Sequence, residues 1–140
     1  MDVDLRWNHP STTFIVGPSM SGKSTVVGNI LKNVDSLHKT EKGKIKEKIL
    51  IFRNYQDSYA AWEREKLIDT KFAFFPSIEE LEKIFLKNKG NGGTLLILDD
   101  QEAGMTIDSL SKLRHLVTIS AHHMNCSIIY VGHSLFAKNM

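Results

Sequence analysis

The run Gly17-Pro18-Ser19-Met20-Ser21-Gly22-Lys23-Ser24 satisfies the pattern G-x-x-x-x-G-K-[ST] and constrains the chain more than any other feature. At average composition the fixed positions would recur by accident in roughly one chain of this length in two hundred. The setting that the chemistry needs is present as well. Thr13-Phe14-Ile15-Val16 is a β-branched and aromatic run suited to a buried parallel strand, and it feeds straight into the loop. From Gly22 to about Val34, the residues Val26, Val27, Ile30, Leu31 and Val34 recur on one helical face. Strand, glycine loop and amphipathic helix together aim main-chain N–H groups and the positive end of a helix at an anion. Lys23 is then expected to reach the β- and γ-phosphates of ATP, and Ser24 to offer its hydroxyl to Mg²⁺, a hard cation that prefers oxygen. Gly17, Pro18, Ser19, Met20, Ser21, Gly22, Lys23, Ser24 and the adjoining Thr25 form the expected nucleotide-binding set.

The rest of the chain reads as an alternation of strands and helices. Lys48-Ile49-Leu50-Ile51-Phe52 predicts a second buried strand, and residues 57–68 a helix opened by Asp57 or Ser58 that turns Tyr59, Trp62 and Leu67 inward. Phe72-Ala73-Phe74-Phe75 predicts a short strand bounded by Pro76. Ser77 and Glu80 have capping-box spacing for a helix whose Ile78, Leu81, Ile84 and Phe85 share a face, and Gly90-Asn91-Gly92-Gly93 stops it. Thr94-Leu95-Leu96-Ile97-Leu98 is a buried strand, Ile107 to about Val117 a helix, and Ser127-Ile128-Ile129-Tyr130-Val131 the last strand. Gly28, inside the loop helix, costs about 1 kcal/mol against alanine, which suggests close packing there.

Asp99 and Asp100 follow the strand at 94–98. In an open α/β sheet ligands sit beyond the carboxyl ends of the strands, so this pair is expected to face the glycine loop. Asp99 is the expected Mg²⁺ ligand opposite Ser24, and Asp100 the group that orients or deprotonates an attacking water, with Glu102 as a substitute. His133 follows the final strand and completes the expected catalytic set with Lys23 and Asp100. It would sense the γ-phosphate if its strand neighbours the first one; a surface histidine is the alternative. His122, His123 and Cys126 are metal-ligating types, but no second cluster accompanies them, which argues against zinc. Of the four arginines, Arg6, Arg53, Arg64 and Arg114, the last is the nearest to a transition-state arginine, and a solvated helix position suits it better.

One hundred and forty residues fit one domain, 1–140, and the single cysteine fits a reducing compartment. There is no apolar run of membrane-spanning length, and the acidic start Met1-Asp2-Val3-Asp4 differs from a basic leader. The expectation is a cytoplasmic or nuclear protein, not secreted, with no membrane partner. The net charge of +2 does not by itself announce nucleic acid. The local run Lys39, Lys42, Lys44, Lys46 and Lys48 reads as a solvated loop, because Glu41 and Glu47 dilute it and no aromatics are interleaved.

Three segments carry a family resemblance: His9-Pro10 leading through Phe14-Ile15-Val16 into Gly17–Ser24; Leu96-Ile97-Leu98-Asp99-Asp100-Gln101; and His122-His123-Met124-Asn125-Cys126-Ser127-Ile128-Ile129-Tyr130-Val131 on to Leu135-Phe136. Together they resemble the poxvirus-type DNA-packaging ATPases of the FtsK/HerA group, in the versions carried by large DNA viruses, Polinton-like elements and related small DNA viruses. The resemblance implies an α/β, three-layer P-loop NTPase domain of RecA/ASCE-like type. Its mainly parallel sheet would have the Walker B and sensor strands flanking the P-loop strand and would lack its last strand or strands, since the family continues past the point matching Met140. It implies ATP and Mg²⁺ as cofactors, a homo-oligomeric ring, double-stranded viral DNA as partner, and capsid or portal-type proteins alongside. By that match Lys23 and Ser24 bind nucleotide, Asp99 holds Mg²⁺ and Asp100 activates water, whereas His133 stands where the family usually has glutamine. Two other readings stay open: a small P-loop kinase, and a nucleotide-binding module with little hydrolysis. A sensor strand inserted between the P-loop and Walker B strands is expected of the translocase type and separates it from the kinase.

Overall fold

In the computed structural model the residues described are 7–8, 10–18, 22–39, 44–101, 107–115 and 123–132. The elements follow as β1 (Trp7–Asn8), β2 (Thr12–Val16), α1 (Lys23–Leu37), β3 (His38–Lys39), β4 (Glu47–Phe52), α2 (Asp57–Arg64), β5 (Thr70–Ala73), α3 (Ile78–Asn88), β6 (Thr94–Asp99), α4 (Ile107–His115) and β7 (Cys126–Gly132). Five strands make one parallel sheet in the order β2-β7-β6-β4-β5, and β1 pairs separately with β3, also in parallel.

Successive side chains of a strand point to opposite faces, so each apolar strand of this sheet supplies two cores at once. Ile49, Ile51, Leu96, Leu98, Ile128 and Tyr130 pack with Leu81 and Phe85 of α3 on one face. Leu50, Phe52, Leu95, Ile97, Ile129 and Val131 pack on the other with Val27, Leu31 and Val34 of α1 and with Tyr59 and Trp62 of α2. Burying one such aliphatic side chain is worth about 1.5–3 kcal/mol. Helices on both faces of a parallel sheet make the three-layer α/β architecture that the resemblance implies.

The order of the strands corrects two expectations. β2 is not a buried strand: it lies at the edge of the sheet formed by the described residues, in alternating exposure, with Phe14 42% and Val16 41% exposed. Nor is it flanked by two partners among the described residues. Its one neighbour among the described residues is β7, and β6 lies beyond. The reason is burial: all seven residues of β7 are buried, so this strand takes an interior position, whereas the short β2 leaves one side of each pleat open.

Two element boundaries also differ. The helix expected over 57–68 ends at Arg64, because Lys66 adopts a left-handed φ of 58°. The Lys66 N–H then bonds the Glu63 carbonyl and the Leu67 N–H the Trp62 carbonyl, a Schellman closure that turns Leu67 back onto the core. Gln56, not Asp57 or Ser58, precedes the first turn. The strand expected over 72–75 is β5, two residues earlier, since Phe74 has a φ of 71° and stands 62% exposed. Ser77 caps α3 by accepting from the Glu80 N–H at 3.1 Å, as its spacing predicts. Among the described residues no helix is long and apolar enough to cross a membrane.

Candidate functional site

The carboxyl ends of three strands define the site. Val16 is opposite Gly132 and Asp99 opposite Val131, so β2, β7 and β6 finish level with one another. With neighbouring strands about 4.8 Å apart, the ends of β2 and β6 stand about 10 Å from each other across β7. The glycine loop and the acid pair thus arrive at the same end of the sheet from segments more than seventy residues apart in sequence.

Around the loop, the Gly17 N–H donates to the Gly132 carbonyl at 3.1 Å, extending the pairing of β2 with β7. Lys23 opens α1, and its ammonium donates to the carbonyl of Gly17 and, at 3.1 Å, to that of Gly132. Both acceptors are neutral main-chain oxygens, weaker partners for a cation than an anionic oxygen. Gly22 has a φ of +89°, and a β-carbon there would meet nothing within 4 Å. Backbone conformation and not space is therefore what requires glycine before the helix. Ser24 is partly buried and Thr25 exposed. Pro18 is exposed; Ser19, Met20 and Ser21 lie outside the described residues.

On the acid side, Asp99 ends β6 and is partly buried. The Tyr59 hydroxyl donates to its Oδ2 atom. Burial pushes the Tyr59 phenol above its ordinary pKa, and the bond to Asp99 and the charges of Asp99 and Asp100 push it further, so it remains a protonated donor. Gln101 is buried, and its Nε2 donates to the Asp99 carbonyl at 2.9 Å and the Ile51 carbonyl at 3.5 Å. Asp100 sits at a left-handed φ of 56°, which the short polar side chain of aspartate tolerates better than most. Its N–H bonds the Val131 carbonyl at 2.9 Å, closing the turn against β7.

The two sides meet through the helices above them. A β-carbon on Gly28 of α1 would lie 3.0 Å from Nε1 of Trp62 on α2, so the missing side chain is what lets the indole rest on the loop helix. This answers the expectation of close packing at Gly28. Trp62 in turn packs at a tilt against Tyr59, with ring centroids 5.4 Å apart.

Of the sequence-predicted residues, Gly17, Gly22, Lys23, Ser24, Asp99 and Asp100 come to one end of the sheet, and His133, Glu102 and His122 lie outside the described residues. Gly132 places the start of the segment leading to His133 beside the loop strand. Arg114 is exposed on α4. His123 is exposed while Cys126 is buried, with its thiol pushed up by that burial, and the described residues contain no cluster of three metal-ligating side chains. Sequence reasoning missed Tyr59 and Gln101. Tyr59 read as core, and only its hydroxyl, which needs a partner when buried, hinted at a second task.

The fold is similar to that of B204, the DNA-packaging ATPase from Sulfolobus turreted icosahedral virus, with a TM-score of 0.60 and 16% identity over 91% of this chain and 68% of that one. It is also similar to the genome packaging NTPase B204 from Sulfolobus turreted icosahedral virus 2 in complex with sulfate, with a TM-score of 0.51 and 15% identity over 91% of this chain and 66% of that one. At these identities the likeness establishes the fold alone, a parallel α/β sheet layered by helices, and the chain spans about two thirds of the length of those proteins. No protein-family model matches the sequence, and no curated protein matches it.

Proposed function

We propose that this chain is a P-loop ATPase domain that binds ATP with Mg²⁺, releases phosphate, and works in a homo-oligomeric ring that moves double-stranded viral DNA into a capsid, beside capsid or portal-type proteins. The observation that supports it best is the position of β7 between β2 and β6, with Lys23 bonded to carbonyls at the ends of both β2 and β7. A small-molecule kinase of the P-loop type is disfavoured by that strand order. The DNA-packaging part of the reading comes from the fold shared with B204 together with the three resembling segments of sequence.

The donor set suits the cofactors. Ser24 offers a hydroxyl and Asp99 a carboxylate at the same end of the sheet, few and hard ligands of the kind Mg²⁺ takes when phosphates complete its shell. When bound, the metal supplies neutralisation of charge on the β- and γ-phosphates. Lys23 exchanges two neutral carbonyls for phosphate oxygens, a change toward a charge-assisted bond. The amides of Gly17 to Thr25 cradle the anion. Asp100 orients or deprotonates the attacking water, and His133, the residue that follows β7 in sequence, senses the γ-phosphate.

The test is phosphate release from Mg-ATP by purified protein, with and without double-stranded DNA. Release stimulated by DNA is expected. ATP binding with no release under either condition removes the motor reading and leaves a binding module; no ATP binding removes the whole proposal.

A further inference from the structure

Tyr59 is buried at 1% exposure, and its ring is clamped by Phe52, Tyr55 and Trp62 at centroid distances of 5.3, 5.8 and 5.4 Å. A ring packed on three sides cannot swing, so its hydroxyl is delivered to one place, and Asp99 Oδ2 accepts it there. A hydroxyl bonded to a carboxylate is among the stronger hydrogen bonds available in a protein, and leaving it unmade in such a site is costly. The carbonyl of the same residue is held by the buried Gln101 amide. Asp99 is therefore restrained at both its backbone and its side chain. The helix carrying Tyr59 also leans through Trp62 on Gly28, within the helix that starts with Lys23 and Ser24.

We propose that Tyr59 is a positioning residue for the metal site: its hydroxyl sets the Asp99 carboxylate in advance, and the Trp62–Gly28 contact ties that setting to the helix bearing Ser24. The inference rests on the nucleotide-binding reading above and adds to it a residue lying far from the loop and from the acid pair in sequence. A group that orients a metal ligand typically governs metal affinity by 10–100-fold, and it does so without touching the metal. Tyr59 belongs in that class because its hydroxyl bonds the ligand itself.

The experiment titrates Mg²⁺ against a fixed concentration of fluorescent ATP analogue and repeats the nucleotide titration in EDTA, for wild type, Tyr59→Phe, Asp99→Asn and the double variant. Tyr55→Phe is the control, because its hydroxyl donates to Glu63 instead, at 2.6 Å. Tyr59→Phe is expected to raise the Mg²⁺ concentration at half-maximal binding about 10-fold. Affinity in EDTA should stay at the wild-type value, Tyr55→Phe should match wild type, and Tyr59→Phe should add nothing once Asp99 is Asn. Equal losses with and without Mg²⁺ would mean that Tyr59 supports the fold alone, and would overturn the proposal. So would an unchanged Mg²⁺ requirement, a lower one, or a full additional loss in the Asp99→Asn background. A wild type that binds the analogue in neither condition sinks the nucleotide reading itself, which separates that failure from a failure of Tyr59.

Discussion

At the amino ends of the strands, Glu47 accepts from the Asn88 amide at 3.0 Å through one oxygen and from the Thr70 hydroxyl at 2.7 Å through the other. The same Asn88 amide bonds Thr94 at 3.1 Å, and the Asn88 carbonyl accepts from the N–H groups of Asn91 and Gly93. At the carboxyl ends, by contrast, Lys23 is held by main-chain carbonyls, and Asp99 by a phenol. Both ends use polar side chains between strands. At the amino end they satisfy one another and join the last turn of α3 to the starts of β4, β5 and β6. At the carboxyl end a lysine rests on neutral oxygens that an anionic ligand can outcompete. One end locks the fold; the other is set up for exchange.

That contrast can be broken at either end. The largest effect is expected from Lys23→Ala, which should lower phosphate release by about 100-fold or more, as loss of one transition-state donor does, while the urea midpoint moves little. Asn88→Ala should do the reverse. It strips partners from Glu47 and Thr94 and should cost about 1–3 kcal/mol in urea unfolding, with nucleotide affinity unchanged. If Asn88→Ala weakened nucleotide binding as strongly as it weakened the fold, the two ends would not be independent.

The smallest effect sharpens the comparison through pH. Burial acts to raise the Glu47 carboxyl, but the bonds from Asn88 and Thr70 and the nearby Lys87 charge outweigh it and hold the group below its ordinary value of 4.5. A carboxyl depressed in the folded state contributes stability that is present above its unfolded value and is lost as pH falls through the folded one. The stability advantage of wild type over Glu47→Gln should therefore be full at neutral pH and shrink as the medium is acidified below 4.5, measured by urea midpoints across that range. The group is partly solvated, so the difference should stay under about 1 kcal/mol.

Much of the fold and of the candidate site was legible because the signals are local. The glycine loop, the strand before it and the acids after Leu98 each announce themselves within ten residues, and Ser77 caps α3 from three residues away. The stop at Lys66 and the turn at Phe74 were not legible, since neither residue favours a left-handed backbone and packing imposes it. Tyr59 and Asp99 stand forty positions apart. No window along the chain pairs them.

What the amino-acid order determined by itself was a set of apolar strands, an amphipathic helix behind a phosphate-type loop, and acids at a strand's end, because periodicity and turn chemistry act between near neighbours. Tertiary structure decided that β7 separates β2 from β6, that β2 lies at the edge of the described sheet, and that a tyrosine holds Asp99. Those choices depend on which faces compete for the same burial, and that competition is resolved only when the whole sheet assembles.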